Sequence, residues 1–500
     1  MKIPRPLRGR RPAILGVCAA AVITTTMTAG FAGAGPGPAA PAGAGSYFPQ
    51  TWTNYAGSQD RNAAFALAPG APGPLRRGVS WQYAEAGALP LNGGPYDEKV
   101  LGYLAASVKT TQMLGNSVGV TAIDGQIIAE SDSSAVYSLN AVTGHLNWQA
   151  PTVNAAMGNP VAGGGLVFAG AGDTGFSFAS MLKYAAKEPG ATRGMGFSAI
   201  YALSQRTGRQ AWRYDTAGED MPSPVYLNGT VYFGNGDGHM YALNAKTGTP
   251  RWITAVGGFD SMSSANYWHN PATGQNLILA GFSNPNYLYA FNAATGAVAW
   301  KSTIPNVFST GMGDNSPTVD PAAGIVLQDS VINFNPVTRT SDLAIFATSA
   351  RTGRVLWETR LGAGPSPRAY KSSIAMISNG TAYVGNPANG HLTALSVTTG
   401  KILWSTDLGT YNWEGTTYHV QNRGGPTLYR HVLYQAAGAY IFALDPATGT
   451  ILTRYQAGGR YGIINPVIVG ATMYLSNSYN WIQAIPLTTI YPNWAHHTTR

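Results

Sequence analysis

The chain is short of charge, of cysteine and of long apolar runs, and each shortage excludes something. Asp, Glu, Lys and Arg make up 11% of the 500 residues, well under the roughly 25% of an average soluble protein. With 62 Gly, 27 Tyr and 12 Trp, this composition indicates a neutral surface built on turns and aromatic strands. The formal charge of +9 is no signature of nucleic-acid binding. Lys2, Arg5, Arg8, Arg10 and Arg11 all precede one apolar run, Ala13 to Ala21, and losing residues 1–34 removes five cations and no acid, so +9 falls to +4. Cys18, the only cysteine, lies in that run, so a chain cleaved after Ala34 has neither disulfide nor thiol chemistry. No later stretch approaches the ~18 uninterrupted apolar residues of a membrane span.

Basic residues, an apolar run and small residues around Ala32-Gly33-Ala34 read as a secretory signal, residues 1–34. The ordinary export route fits better than the twin-arginine one, because Pro12-Ala13 follows Arg10-Arg11 where larger apolar residues are usual. A secreted or extracytoplasmic protein is expected. Residues 35–50, rich in Pro, Gly and Ala, read as a flexible tether, 51–490 as the folded body and 491–500 as a C-terminal tail.

What the chain does have is repetition. Met240 to Trp252, MYALNAKTGTPRW, returns as VYSLNAVTGHLNW from Val136, IYALSQRTGRQAW from Ile200, LYAFNAATGAVAW from Leu288, IFATSARTGRVLW from Ile345, LTALSVTTGKILW from Leu392 and IFALDPATGTILT from Ile441. Each copy reads as a strand, a turn opened by Asn, Ser or Asp and closed by Thr-Gly, and a second strand ending on Trp. The glycine suits a positive φ, and the polar residue that opens the turn can bond its backbone. A lone hairpin cannot bury its Trp, so units of roughly 40 to 50 residues must cover one another, as in a propeller. Asn228-Gly229 and Asn379-Gly380 add hairpin turns, and Ser223-Pro224, Asn315-Ser316-Pro317 and Lys371-Ser372-Ser373 begin innermost strands.

The two ends complete each other. Trp81-Gln82-Tyr83 resembles a last strand without its hairpin partner, while Met473-Tyr474-Leu475 and Trp481 to Leu487 read as earlier strands with no Trp-ended strand after them. Pairing them closes the ring and removes strand edges at the seam. The expectation is all-β: an eight-bladed propeller of four-stranded blades with N- and C-terminal strands sharing one blade. Insertions at Glu85–Leu114 and Gly170–Ala199 should lie on one face.

Ala-Leu-Asx-x-x-Thr-Gly-x-x-x-Trp resembles the tryptophan-docking repeat of pyrroloquinoline quinone (PQQ) type propellers, across nearly all of the chain after residue 50. That resemblance implies a docking role for Trp81, Trp148, Trp212, Trp252, Trp300, Trp357 and Trp404, from which Thr453 departs. The family holds both quinoprotein alcohol dehydrogenases and a non-enzymatic outer-membrane assembly lipoprotein. The dehydrogenases imply a vicinal disulfide, which this chain lacks, an Asp base, and Glu and Asn ligands for calcium or a lanthanide.

Candidate residues fall in the segments between a docking Trp and the next innermost strand. Asp314 and Glu219 are the candidate catalytic acids, and Glu219, Asn315 and Asp314 offer hard oxygen ligands to a metal. Arg368, Lys371 and Arg423 are candidate cations for a cofactor's carboxylates. Trp413, within Tyr411-Asn412-Trp413-Glu414 and near His419, suits a flat ligand. Asp260 and the pair Arg460 with Asn465 occupy similar segments. Asn235-Gly236-Asp237-Gly238 is a turn rather than a calcium loop, and His496-His497 lie in a ragged end. Two functions follow: a scaffold binding a small molecule or protein at its funnel, or a PQQ- and metal-dependent dehydrogenase of an alcohol or sugar.

Overall fold

Alternation of facing, repeated four times per unit, builds the architecture. The computed structural model describes residues 64–65, 81–85, 118–131, 134–153, 156–172, 198–260, 262–307, 311–338, 340–365, 373–413, 416–420, 422–438, 440–456, 461, 463–477 and 481–497. Their strands form eight antiparallel sheets, the blades of one ring. Blade 1 spans 121–151, blade 2 161–216, blade 3 225–255, blade 4 266–303, blade 5 318–365, blade 6 376–407 and blade 7 427–455. Blade 8 takes three strands from 467–486 and its outermost from Trp81–Ala84, in the register Trp81↔Ala484 to Ala84↔Trp481. The ring therefore closes by joining the chain's two ends, as the sequence leads one to expect.

Within a blade, burial is greatest in the two middle strands and least in the outermost. The second and third strands, such as Thr230–Gly234 and His239–Asn244, are covered on both faces by neighbouring blades and are almost wholly buried. The outermost, Pro250–Ala255, alternates between exposed and half-buried residues. Blade 5 departs from the pattern, since Ile325–Asn335, Thr340–Ser349 and Val355–Pro365 run well past the strands of the other blades. A separate hairpin, Thr410–Trp413 with Thr416–His419, lies between blades 6 and 7. Ala64–Phe65 adds in parallel to the innermost strand of blade 7, so it runs on the channel side of the ring. The two expected insertions lie largely outside the described residues.

Each docking tryptophan ties its blade to the next. Trp212 of blade 2 donates its indole Nε1–H to Ala245 O of blade 3 at 2.9 Å, and its ring lies on Gly248 of the Thr-Gly turn. The same bond, at 2.9–3.0 Å, is made by Trp81, Trp148, Trp252, Trp300, Trp357 and Trp404. The turn is itself held by its opening residue: Asn244 Oδ1 accepts the N–H groups of Lys246 and Thr247.

Thr453 breaks the series for a geometric reason. The third and fourth strands of blade 8 come from opposite ends of the chain, so no turn joins them and a tryptophan from blade 7 has nothing to dock on. The short helix Leu487–Ile490 and the residues after it fill this junction instead. Trp494 is 1% exposed, packs on Tyr429 at 6.0 Å between ring centroids and lies under the Arg430 guanidinium. His497 reaches Asp445 Oδ2 at 3.2 Å. The end that the sequence reads as ragged is thus packed through His497, because Trp494 buries a large apolar area that no local pattern announces.

A candidate active site in the central cavity

The innermost strands begin around the ring axis, and polar side chains stitch each start to the next. Asn159 N–H donates to Ser223 Oγ at 2.7 Å, Ser223 N–H to Ser264 Oγ at 2.9 Å, and Ser264 N–H to Ser316 Oγ at 3.0 Å. Thr318 Oγ1 donates to Ala375 O, Ser373 Oγ to Gly424 O, and Gly425 N–H to Asn465 Oδ1. Asn465 N–H donates to Val118 O at 2.9 Å, and Thr121 Oγ1 to Pro160 O, which completes the circle. The Ser-Pro and Asn-Pro pairs of the sequence are therefore junction elements: the hydroxyl or amide bonds the adjoining blade, and proline needs no donor of its own.

Inside this polar girdle lies a small, partly open pocket. Asp314 and Arg423, from the segments leading into blades 5 and 7, line it together. Met221, Met262, Ile374 and Ile463 make the rest of its wall largely apolar. Asp314 ends a single 3-10 turn, Gly311–Asp314, and both charged residues are buried, at 8% and 5% exposure. A carboxylate and a guanidinium at low dielectric on one apolar wall can hold an anion at one point and handle a proton at another.

The other candidates separate. Glu219 is buried at the start of blade 3, where its carbonyl oxygen accepts from Asn235 Nδ2 and Gly236 N–H. The Asn315 carbonyl accepts from Ser263 Oγ at 2.7 Å and Gln328 Nε2 at 2.7 Å, an inter-blade bond and an intra-blade one. Asp260 takes the Ser263 N–H at 2.9 Å. Asn235 orders its turn, bonding Gly218, Glu219 and Asp220. Trp413 and His419 sit in the separate hairpin. Arg368, Lys371, Glu414 and Arg460 lie outside the described residues.

Two buried acids escape a reading of the sequence. Glu130 and Asp329 occupy one position of the second strand, in blades 1 and 5, where blades 2, 3, 4 and 6 carry Gly170, Gly234, Gly281 and Gly385. Glycine is usual there because the next blade comes close: a β-carbon on Gly281 would lie 2.0 Å from Met312 O. In its place Glu130 Oε1 accepts Gly170 N–H at 3.3 Å, and Asp329 Oδ2 accepts Ser373 N–H at 2.9 Å. The only signal in the sequence is an acid at a glycine position, legible once the blades are superposed.

Burial pushes the Asp329 carboxyl well above the ordinary carboxylate range, against its backbone hydrogen bonds. Asp220 is raised in the same way, by burial first and then by nearby Asp237 and Glu219, although Thr216 and Asn235 bond it. Both carboxyls bind a proton more tightly folded than unfolded. Their contribution to stability is complete below the ordinary value of 3.8 and declines as pH rises towards the folded values. The midpoint of thermal unfolding should therefore be higher at mildly acidic pH than in alkaline buffer, by on the order of a few degrees. Asp329→Asn should flatten that slope. An unchanged slope in the variant would show that Asp329 does not carry it.

The family described as outer membrane protein assembly factor BamB matches residues 97–266 and 263–496. A quinohemoprotein alcohol dehydrogenase of Pseudomonas putida has the same fold, with a TM-score of 0.55 at 14% identity, covering 88% of this chain and 81% of that one. Ring, docking tryptophans and family match together define a PQQ-like β-propeller. Tetrathionate hydrolase of Acidithiobacillus ferrooxidans is 40% identical over 454 residues, 88% of this chain and 87% of the relative. That of Acidianus ambivalens is 36% identical over 477 residues, 90% and 86% of the two chains. The chain belongs to the family of PQQ-like propellers that includes these hydrolases.

The described residues around this cavity do not by themselves form a site for a quinone and its metal. The chain's one cysteine, Cys18, cannot supply a vicinal disulfide. Among the described residues no group of three or more His, Cys, Asp or Glu is placed to hold a metal ion, and those of them that line the cavity include one carboxylate, Asp314, and one cation, Arg423. No helix among them is long and apolar enough to cross a membrane.

Proposed function

We propose that this propeller hydrolyses a polythionate, with tetrathionate as the substrate to test first, in the cavity that Asp314 and Arg423 share. The observation that carries the reading is likeness over nearly the whole length of both chains to tetrathionate hydrolases, at 40% identity with one of them. A dianion with a sulfonate at each end and an apolar sulfur chain between asks for a cation, an apolar wall and a group to take a proton from water. Arg423, the methionine and isoleucine wall, and Asp314 supply the three. Adding water across a terminal sulfur–sulfur bond gives hydrogen sulfate and a three-sulfur monosulfonate, and needs no external oxidant or reductant.

Hydrolysis accounts for the full-length likeness better than ligand binding alone, and it uses the acid and cation present without the ligand set that quinone-dependent oxidation requires. Export through the signal at residues 1–34 is part of the same proposal. The test is to incubate the purified chain with tetrathionate from acidic to neutral pH and follow its loss, with sulfate and thiosulfate, by ion chromatography. Consumption with sulfate release supports the reading. A chain that leaves tetrathionate intact at every pH is not such a hydrolase.

A further inference from the structure

The ring supplies a coordinate that the sequence hides. Four residues before the first residue of each innermost strand stand Met157 in blade 2, Met221 in blade 3, Met262 in blade 4, Asp314 in blade 5, Arg423 in blade 7 and Ile463 in blade 8. The corresponding residues of blades 1 and 6 lie outside those described. Equivalent positions in a ring of like blades project to one level around the axis, and all of these except Met157 line the cavity. One arc of the ring is thus methionine on three successive blades; the acid follows it on blade 5, and the cation stands across the ring on blade 7.

Twelve methionines in 500 residues make three at one position of consecutive blades a specific choice. Packing alone does not require it, since blade 8 fills the same position with Ile463. A thioether is polarizable and poorly hydrated, and matches other soft, weakly hydrated groups better than it matches oxygen. Met221 is 3% exposed and Met262 half-buried, so both meet a ligand away from bulk water.

We propose that Met221 and Met262 form a subsite for sulfane sulfur, holding the S–S centre of a polythionate while Arg423 takes a terminal sulfonate. This rests on the hydrolase reading and adds to it a selection rule. Anions with bonded divalent sulfurs are accepted, and sulfonates without them are held by Arg423 alone. The methionine arc, not the charged pair, then sets preference among polythionates of different length.

The test uses the full chain with Met221→Gln and Met262→Gln, and the Leu variants at both positions as controls for packing. Steady-state rates are taken with trithionate, tetrathionate and pentathionate, with dithionate, which has no sulfane sulfur, as a competing anion. Each Gln variant is expected to raise KM for tetrathionate about tenfold or more, as a polar group set against an apolar ligand does. The kcat should stay within about threefold, the Leu variants should fall between, and the loss should be larger for pentathionate than for trithionate. Inhibition by dithionate should not change.

Unaltered KM in both Gln variants overturns the subsite, as does a parallel loss of dithionate inhibition. If the wild type hydrolyses no polythionate, the hydrolase reading fails separately. Calorimetric binding of tetrathionate to wild type but not to Met221→Gln would then still support the subsite, and binding to neither would overturn it.

Discussion

Replacing Asp314 by asparagine is expected to lower tetrathionate turnover by roughly 10²–10³-fold, the size of effect that loss of a positioned acid or base produces. Asparagine keeps the shape and hydrogen-bonding length but cannot exchange a proton. The residue ends the 3-10 turn Gly311–Asp314 and lines the cavity, and the stitching of blades 4 and 5 runs through Ser263, Ser264, Asn315 and Ser316. The fold should therefore survive the change, which circular dichroism and the thermal midpoint can check. Arg423→Gln should behave differently, raising KM by roughly 10–100-fold for the lost charge-assisted bond to a sulfonate, with a smaller change in kcat. A pH–rate profile separates the roles. Loss of one limb in the Asp314 variant identifies it as the group that titrates, whereas full activity in Asp314→Asn removes it from the mechanism.

Gly248→Ala should destabilise the ring far more than Gly229→Ala, although both glycines have φ of 73° and stand in turns of the same blade. An alanine at either position meets the strain of left-handed backbone, about 1–2 kcal/mol. At Gly229 nothing lies within 4 Å of the added carbon, whereas at Gly248 it would sit 2.7 Å from the Trp212 ring. Pushing that indole away adds overpacking of about 1–3 kcal/mol and endangers its bond to Ala245 O. We expect Gly248→Ala to cost roughly 2–5 kcal/mol and Gly229→Ala about 1–2. In a Trp212→Ala background the two glycine variants should converge. Equal urea midpoints for both variants in the wild-type background would contradict the docking account.

Thr-Gly recurs for two physical reasons. Backbone conformation alone explains a glycine at 144, 208, 248, 296, 353, 400 and 449, and the sequence supports that much. The structure adds a second requirement, because the tryptophan of the preceding blade occupies the volume a side chain would need. One residue thus serves a turn and an interface, and the interface partner stands 36 residues earlier for Trp212 and Gly248.

Fold and site differ in how much of each the chain discloses. The repeat, its strand–turn–strand reading, the count of eight and the joining of Trp81–Ala84 to the C-terminal strands follow from the sequence, because each rests on contacts within one hairpin or between adjoining copies. Asp314 and Arg423 are legible as residues between blades, but that they share a cavity is not, since 108 residues separate them. Glu130 and Asp329 stay hidden in ordinary strand sequence, and become unusual only beside the glycines at the same place in other blades. The methionine arc is invisible for a related reason. Insertions vary the spacing of the docking tryptophans from 40 to 67 residues, so equivalent positions do not fall at a constant interval. Local periodicity determined the propeller; rotation of eight blades about one axis decided which distant side chains meet, because it brings together segments that no local pattern relates.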